Sequence, residues 1–394
     1  MSSTLSSSTL DQSQRLDDKA VQFATRAVFF ITGAAMSAWA PLVPYAKSRL
    51  NINDASLGML LLMIAIGSLT AMPLAGVLSA RLGCRRVMLS AAAPLFVVLP
   101  ALTQVSTLPA MAVLLFLFGA AIGLLDVTMN IQAVVVEQAS KRAMLSGFHG
   151  FYSVGGIAGA GGVSGLLWLG CSPLWAIIIM VLLLLLLLLC GTHRHLLHGS
   201  GHAERSPLFV RPRGVVMTIG ALCFIMFLAE GAILDWSALF LSGERGLDSR
   251  LAGVGYAAFS IAMTLGRLNG DRLTQKLGRY VMAAGGSLCA ALGLLLAIAV
   301  DNPVSAITGF ILVGLGASNV VPILFSAAGR QRIMPAGLAV ASVSTLGYTG
   351  ILTGPALLGF IAQWSSLSLA LGLVALLLLV VSLSIRPLTR SSGA

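Results

Sequence analysis

The chain has 394 residues, of which 57% are hydrophobic and 9% are charged, and its mean hydropathy is +0.96. A soluble domain usually has about 25% charged residues, so the composition excludes a soluble protein and indicates a membrane protein. A helical span needs about 20 apolar residues, so the length allows about twelve spans, and the sequence lacks the alternating segments of a transmembrane β-barrel.

Twelve apolar stretches, separated by charged or Pro/Gly-rich breaks, predict an all-α polytopic membrane protein. Spans 1 to 12 are predicted at 24–46, 55–79, 86–105, 108–136, 144–168, 172–190, 214–241, 250–270, 280–299, 303–328, 337–362 and 366–385. The predicted domains are a Ser/Thr-rich cytoplasmic tail (1–23), an N-terminal six-helix bundle (24–190), a cytoplasmic linker (191–213), a C-terminal six-helix bundle (214–385) and a cytoplasmic tail (386–394). The first tail lacks the basic region and short apolar core of a cleaved signal peptide.

Basic residues are distributed unevenly between the predicted loops. With both termini in the cytoplasm, 20 of the 24 Lys and Arg fall on cytoplasmic segments or span ends, and the exceptions are Lys47, Arg49, Arg245 and Arg250. Cytoplasmic loops of membrane proteins carry such an excess of basic residues. The asymmetry therefore predicts cytoplasmic termini, and it explains the net charge of +11 without a nucleic-acid partner.

Metal and cofactor sites are not expected. Four His lie between His193 and His202, but a solvated basic linker is the favoured interpretation over a metal site. The five Cys are scattered without a C-x-x-C motif, which favours small buried hydrophobes over a disulfide or a metal site. The chain also lacks the G-x-x-x-x-G-K-[ST] motif of P-loop ATPases.

The two halves of the chain resemble each other. GVLSARLG (76–83) aligns with DRLTQKLG (271–278) at an offset of 195, and the same offset pairs Gly119 with Gly314 and Gly155 with Gly350. At an offset of 197, Trp39 aligns with Trp236. With six spans in each half, these matches predict parallel repeats related by an axis along the membrane normal, an arrangement typical of transporters with a central site.

The loop GVLSARLGCRRV after span 2 resembles the major facilitator superfamily signature G-x-L-x-D-R-x-G-R-R/K. Ala80 stands where the signature has its acid, Gln275 stands at the repeat mate of that position, and Asp271 is a candidate substitute. The resemblance implies the twelve-helix fold of that superfamily, with spans 3, 6, 9 and 12 facing lipid. It also implies a cytoplasmic gate, for which the candidates are Arg81, Arg85, Arg86, Arg267 and Asp271.

Ionisable residues inside predicted spans usually face a cavity or a partner and mark a transport path. Spans 3, 6, 9 and 12 hold no acidic residue, and the buried ionisable candidates fall in spans 4, 5, 7 and 8, which predicts a polar central cavity. These candidates are Asp126, His149, Glu230, Asp235 and Arg267, and the uncharged polar candidates are Asn130, Gln132, Tyr152, Asn319 and Tyr348.

Asp126 and Asn130 lie four residues apart and therefore on one face of span 4. A carboxylate in this setting can couple transport to protons by reversible protonation, while the amide binds a solute or orients the acid. The alternative is a structural carboxylate paired with a neighbouring helix.

LLDVTMN and FHGFYSVGGIAG (148–159) resemble spans 4 and 5 of fucose permease-like sugar–proton symporters, and rhizopine-transporter-like (MosC-like) members share the general pattern. The resemblance implies that Asp126 carries the proton and that Asn130, His149 and Tyr152 line a sugar site. Ala40 stands where that family has a second acid, so Glu230 is a candidate for the missing carboxylate, or coupling needs only one.

The other candidates have two interpretations each. Trp39 and Trp236 either stack on a sugar or anchor the protein in the aromatic belt. Asp235 lies near the outer face, where a solvated mouth is an equal explanation, and His149 is either a proton relay or a packing residue. Asn319 and Tyr348 are expected to line the cavity.

The favoured function is a proton-coupled symporter that imports a sugar-like solute by alternating access across a bacterial inner membrane. The alternative is a proton-coupled exporter of drugs or metabolites. An enzyme is not expected, because no nucleophile–base pair or metal-ligand cluster lies in the spans. The expected partners are a small-molecule substrate, a proton and the lipid bilayer, with the chain acting as a monomer without cofactors.

Overall fold

The computed structural model describes residues 18–52, 54–190, 192–194, 196, 211–248, 251 and 253–385. Most of the predicted N-terminal tail, most of the linker with three of its four His, Arg250 and the predicted C-terminal tail lie outside these residues.

The described residues are helical and contain no strand. They form twelve segments, α1 to α12, which match the predicted spans, and α1 and α10 are each interrupted. The segments are α1a (Lys19–Ala38), α1b (Val43–Leu50), α2 (Asp54–Leu82), α3 (Cys84–Leu102), α4 (Leu108–Ser140), α5 (Leu145–Trp168), α6 (Pro173–Leu189), α7 (Val215–Leu239), α8 (Val254–Leu277), α9 (Arg279–Ala299), α10a (Pro303–Ala317), α10b (Val320–Arg330), α11 (Ala336–Trp364) and α12 (Leu367–Ser384). The predicted all-α membrane fold is confirmed.

Nine of the segments in the described part of the chain are long and apolar enough to cross a membrane. The others are α6, which is apolar but has 17 residues, α5, which contains eight glycines, and α8, which contains four charged residues. Twelve crossings and cytoplasmic termini stay predictions.

The chain divides into two compact units. The first comprises Met1–Lys141 and Phe151–Arg211, and the second comprises Arg142–Gly150 and Pro212–Ala394. Helix α5 therefore begins among residues of the second unit and continues in the first. This division assigns His149 to the second unit and Tyr152 to the first.

The predicted repeat is visible in how helices approach each other inside each unit. In the first unit, a Cβ added to Gly155 of α5 would lie 2.2 Å from the backbone oxygen of Phe30 in α1. In the second unit, a Cβ on Gly350 of α11 would lie 2.2 Å from the backbone oxygen of Phe224 in α7. Only glycine allows two helix backbones to come this close, so the matched glycines mark equivalent contacts.

The Gly at the end of the aligned loops has the same backbone conformation in both halves. Gly83, between α2 and α3, has φ 81° and ψ 151°, and Gly278, between α8 and α9, has φ 85° and ψ 153°. This region of φ/ψ space is essentially restricted to glycine. The shared glycine of the signature therefore forms the sharp turn between consecutive helices.

Two arginines predicted on the outer side cap the ends of helices. The Arg49 guanidinium donates to the backbone oxygens of Leu102 (2.6 Å), Thr103 (2.6 Å) and Val105 (2.8 Å) at the end of α3. Arg245 donates to those of Ala297 (3.0 Å) and Ile298 (2.7 Å) at the end of α9. The last carbonyls of a helix lack intrahelical donors, so these cations satisfy them. The repeat thus contains a matched pair of arginine caps.

We expect Arg245→Ala to lower the free energy of unfolding by about 2 kcal/mol, because charge-assisted hydrogen bonds to buried carbonyls are lost. Denaturant unfolding of the purified protein in detergent measures the change. Arg272→Ala is the matched control, since the Arg272 side chain is exposed and makes no hydrogen bond among the described residues. Equal stability of the two variants would contradict the capping role.

Candidate functional site

In the first unit, Asp126 lies in α4 and is partly buried. Its carboxylate makes no hydrogen bond or ion pair with any residue that the structure describes. An ionised carboxylate near the centre of a membrane helix costs roughly 3 kcal/mol. The contacts in this unit therefore supply no partner that offsets the cost of this charge.

Asn130 lies one turn further along α4 and is 1% exposed. Its side-chain amide donates to the backbone oxygen of Asp126 at 2.9 Å. The amide therefore contacts the backbone of Asp126 rather than the carboxylate. Nearby, the Gln132 amide donates to the Thr25 hydroxyl at 2.9 Å and connects α4 with α1.

The other candidates in the first unit are dispersed over several elements. Trp39 directly follows α1a and is 4% exposed, and its indole N–H has no partner among the described residues. Tyr152 lies in α5 where Gly33 of α1 packs against its backbone oxygen. The predicted gating residues Arg81, Arg85 and Arg86 lie at the end of α2 and the start of α3.

In the second unit, Glu230 of α7 pairs with Arg267 of α8. The Arg267 Nη2 atom lies 3.3 Å from Oε1 and 3.5 Å from Oε2 of the carboxylate. The side chains of Arg267 and Glu230 are 10% and 15% exposed. Sequence reasoning selected both residues separately and did not pair them. It also placed Arg267 at the end of span 8, whereas α8 continues ten residues further, to Leu277.

Helix α10 is interrupted next to this ion pair. The helix stops at Ala317 and resumes at Val320, which leaves Ser318 and Asn319 between α10a and α10b. The Arg267 Nε atom donates to the Ser318 backbone oxygen at 3.4 Å. The Asn319 amide donates to the Ser318 hydroxyl at 2.8 Å and to the Gly266 backbone oxygen at 3.2 Å. Transporters commonly build sites at such discontinuous helices.

Aromatic contacts involve two of the predicted substrate residues in the second unit. The His149 ring stacks on Phe325 of α10b, with 6.0 Å between the centroids and 30° between the planes. The Tyr348 ring lies 5.8 Å from that of Phe227. These contacts give both side chains a packing role in the described structure.

Asp235 and Trp236 lie near the end of α7. Asp235 is exposed, and the Trp236 ring lies over Gly359 of α11, where an added Cβ would be 3.3 Å from it. The Trp236 indole N–H has no partner within the described part of the chain.

Asp271 of α8, a predicted gating residue, caps the start of α5. Its Oδ1 atom accepts from the Ser146 N–H at 3.0 Å and its Oδ2 atom accepts from the Gly147 N–H at 2.8 Å. Gln275, one turn further, donates to the Ala143 backbone oxygen at 3.2 Å. The first N–H groups of a helix have no intrahelical acceptor, and a carboxylate there also complements the helix dipole. Sequence reasoning missed Ser146, Gly147 and Ser318 as partners.

Comparisons with known proteins agree with this fold. Residues 27–331 match the Major Facilitator Superfamily. An uncharacterised MFS-type transporter of Yersinia pestis is 62% identical over 369 residues, which cover 94% of this chain and 96% of the relative. The membrane protein MosC of Rhizobium meliloti is 32% identical over 359 residues, covering 91% and 86%.

Among solved structures, the fucose:proton symporter FucP of E. coli superposes with a TM-score of 0.74. The match covers 93% of this chain and 98% of that one at 15% sequence identity, so it concerns the fold. The family match and the curated relatives, both over most of the chain, determine the classification. This chain is a multi-pass membrane transporter that belongs to the major facilitator superfamily.

Proposed function

We propose that the chain is a proton-coupled symporter that imports a small polar solute, a sugar or sugar-like compound, by alternating access. The observation that carries the proposal is the Asp126 carboxylate, which lies inside a membrane helix without a hydrogen bond or ion pair among the described residues. Taking up a proton removes the charge that this environment penalises, and releasing it restores the charge. Asp126 is therefore the proton carrier.

Glu230 is the second carboxylate of the proposed coupling system, held by Arg267. Because its charge is balanced by an adjacent cation, its role differs from that of Asp126. A solute or proton that weakens the pair leaves a buried charge uncompensated, which is strongly unfavourable.

We assign the gate to Arg81, Arg85, Arg86, Arg267 and Asp271, and contacts with the solute to Asn130, His149, Tyr152, Trp39, Asp235, Trp236, Asn319 and Tyr348.

The solute class rests on the polar character of these residues and on the likeness to the fucose:proton symporter. Amide, imidazole and phenol groups supply the donors and acceptors that hydroxyl groups need, and indole rings can stack on a sugar face.

We further propose that the monomer crosses a bacterial inner membrane twelve times, with both termini and the linker in the cytoplasm and the lipid bilayer as its partner.

Asp126→Asn should abolish accumulation driven by a proton gradient while retaining solute exchange, because the amide cannot carry a proton and has the same shape. A thermal-shift screen of sugars, polyols and common drugs on purified protein identifies a solute that binds. Uptake of that solute, in labelled form, is then measured in proteoliposomes with an imposed proton gradient. Asp301→Asn is the control, since Asp301 is exposed and pairs with Arg245 just beyond the C-terminal end of α9. Uphill uptake by Asp126→Asn at the wild-type level would remove Asp126 from the mechanism. Gradient-driven extrusion of a drug, without sugar uptake, would favour the exporter.

A further inference from the structure

One face of α8 carries both the Glu230–Arg267 ion pair and the Asp271 cap of α5. Arg267, Gly270, Asp271 and Thr274 are spaced by three and four residues and therefore lie along the same side of the helix. Arg267 is 8% exposed, Thr274 is 5% exposed and Gly270 is buried. The buried ion pair lies at one end of this face and the cap of α5 at the other.

At the first end, Arg267 joins three helices. Its guanidinium belongs to α8, pairs with Glu230 of α7 and donates to the Ser318 backbone oxygen at the interruption of α10. Loss of the Glu230 charge removes the main counter-charge of a buried cation, so the guanidinium has to find other acceptors. The Arg267 guanidinium therefore connects the Glu230 carboxylate with the α10 interruption.

In the middle of the face, Gly270 receives the Asn319 side chain. A Cβ added to Gly270 would lie 1.6 Å from Asn319 Oδ1 and 2.7 Å from the Ser146 Cβ atom. The missing side chain thus makes room for both the residue at the α10 interruption and the residue at the start of α5. If the Asn319 side chain moves, Ser146 is expected to move as well, because close-packed protein interiors transmit displacements between neighbouring residues.

At the second end, Asp271 binds the N–H groups of Ser146 and Gly147. Two contacts therefore fix Ser146. Its N–H donates to Asp271, and its side chain packs beside Gly270 near Asn319. Asp271 is adjacent to Gly270 in the chain, so a shift at Gly270 changes the geometry of the cap.

We propose that this face of α8 is a mechanical link, in which breaking the Glu230–Arg267 pair loosens the Asp271 cap on the first turn of α5. Gly270 and Asn319 are the positioning residues of the link. Its use in transport rests on the proposed function, since a proton or solute that reaches Glu230 would then release the start of α5. The link itself is a property of the folded protein and can be measured without transport.

Hydrogen exchange tests the link, because the Ser146 and Gly147 amides are the groups that Asp271 protects. Purified protein in detergent is measured by mass spectrometry with overlapping peptides across residues 142–150. Asp271→Ala should raise exchange at these two amides directly, because it removes both acceptor oxygens. Glu230→Gln, on another helix, should raise it at the same amides roughly fivefold or more, the lower end of typical coupling between linked sites. Asp301→Asn should leave it unchanged.

Peptides from α9 and α12 report whether a variant remains folded. If Glu230→Gln does not fold, Glu230→Asp keeps the charge but withdraws the carboxylate from Arg267, and the same increase is expected. Wild-type exchange at Ser146 and Gly147 in the folded Glu230 variant would overturn the link, as would wild-type exchange in Asp271→Ala. Because neither a solute nor a gradient is present, these outcomes are independent of the Asp126 experiment.

Discussion

Replacing Arg267 with Met should destabilise the protein by about 3–5 kcal/mol, the largest loss expected from a single substitution in the second unit. The variant keeps the approximate volume of the side chain but leaves the Glu230 carboxylate, 15% exposed, without its cation. The Ser318 backbone oxygen also loses a donor. Denaturant unfolding in detergent measures the loss, with Arg272→Met as the control because Arg272 is exposed.

The double variant Arg267→Met, Glu230→Gln should recover most of this stability. Removing both charges eliminates the uncompensated carboxylate, and a buried ion pair contributes little net stability compared with neutral groups of similar size. If the single variant is as stable as Arg272→Met, the two side chains do not form a buried pair. A double variant that is stable but inactive in transport would show that the pair serves function rather than folding.

The positions of the helices could be predicted from the sequence because hydropathy alone determines which stretches can enter a bilayer. Predicted and observed ends agree within a few residues for most segments. Helix α8 is the clearest departure, because it continues from 270 to Leu277 through charged residues that a hydropathy criterion reads as a loop. As a result, Arg267 lies in the middle of α8 rather than near its end.

The partners of the polar residues could not be predicted in the same way. The rarity of intramembrane charge identified Glu230 and Arg267 as candidates, but which residues meet depends on how α7 packs against α8. Asn319 was recognised as polar, yet the interruption of α10 beside it was not predicted, although Pro322 in the first turn of α10b lacks the N–H that would bond to the Ser318 backbone oxygen. The sequence did indicate that Arg49 and Arg245 are equivalent. They are 196 residues apart, which lies between the offsets of 195 and 197 that relate the two halves of the chain.

Substituting Gly155 by Ala should destabilise the first unit by about 1–3 kcal/mol, the usual range for overpacking a close contact. The added Cβ would lie 2.2 Å from the Phe30 backbone oxygen and 2.9 Å from the Phe30 Cα atom. These are backbone atoms of α1, so relief requires α1 and α5 to move apart rather than a side chain to rotate. Denaturant unfolding in detergent measures the loss of stability, and transport is expected to be impaired as well.

Gly161→Ala is the matched control, since Gly161 lies in the same helix, is exposed, and an added Cβ meets no atom within 4 Å. Its effect should stay within about 0.5 kcal/mol, as for most exposed substitutions. Gly350→Ala tests the equivalent contact in the second unit, where the added atom lies 2.2 Å from the Phe224 oxygen. Similar losses at Gly155 and Gly350 would show that both halves depend on the same close approach, whereas equal stability of Gly155→Ala and Gly161→Ala would contradict it.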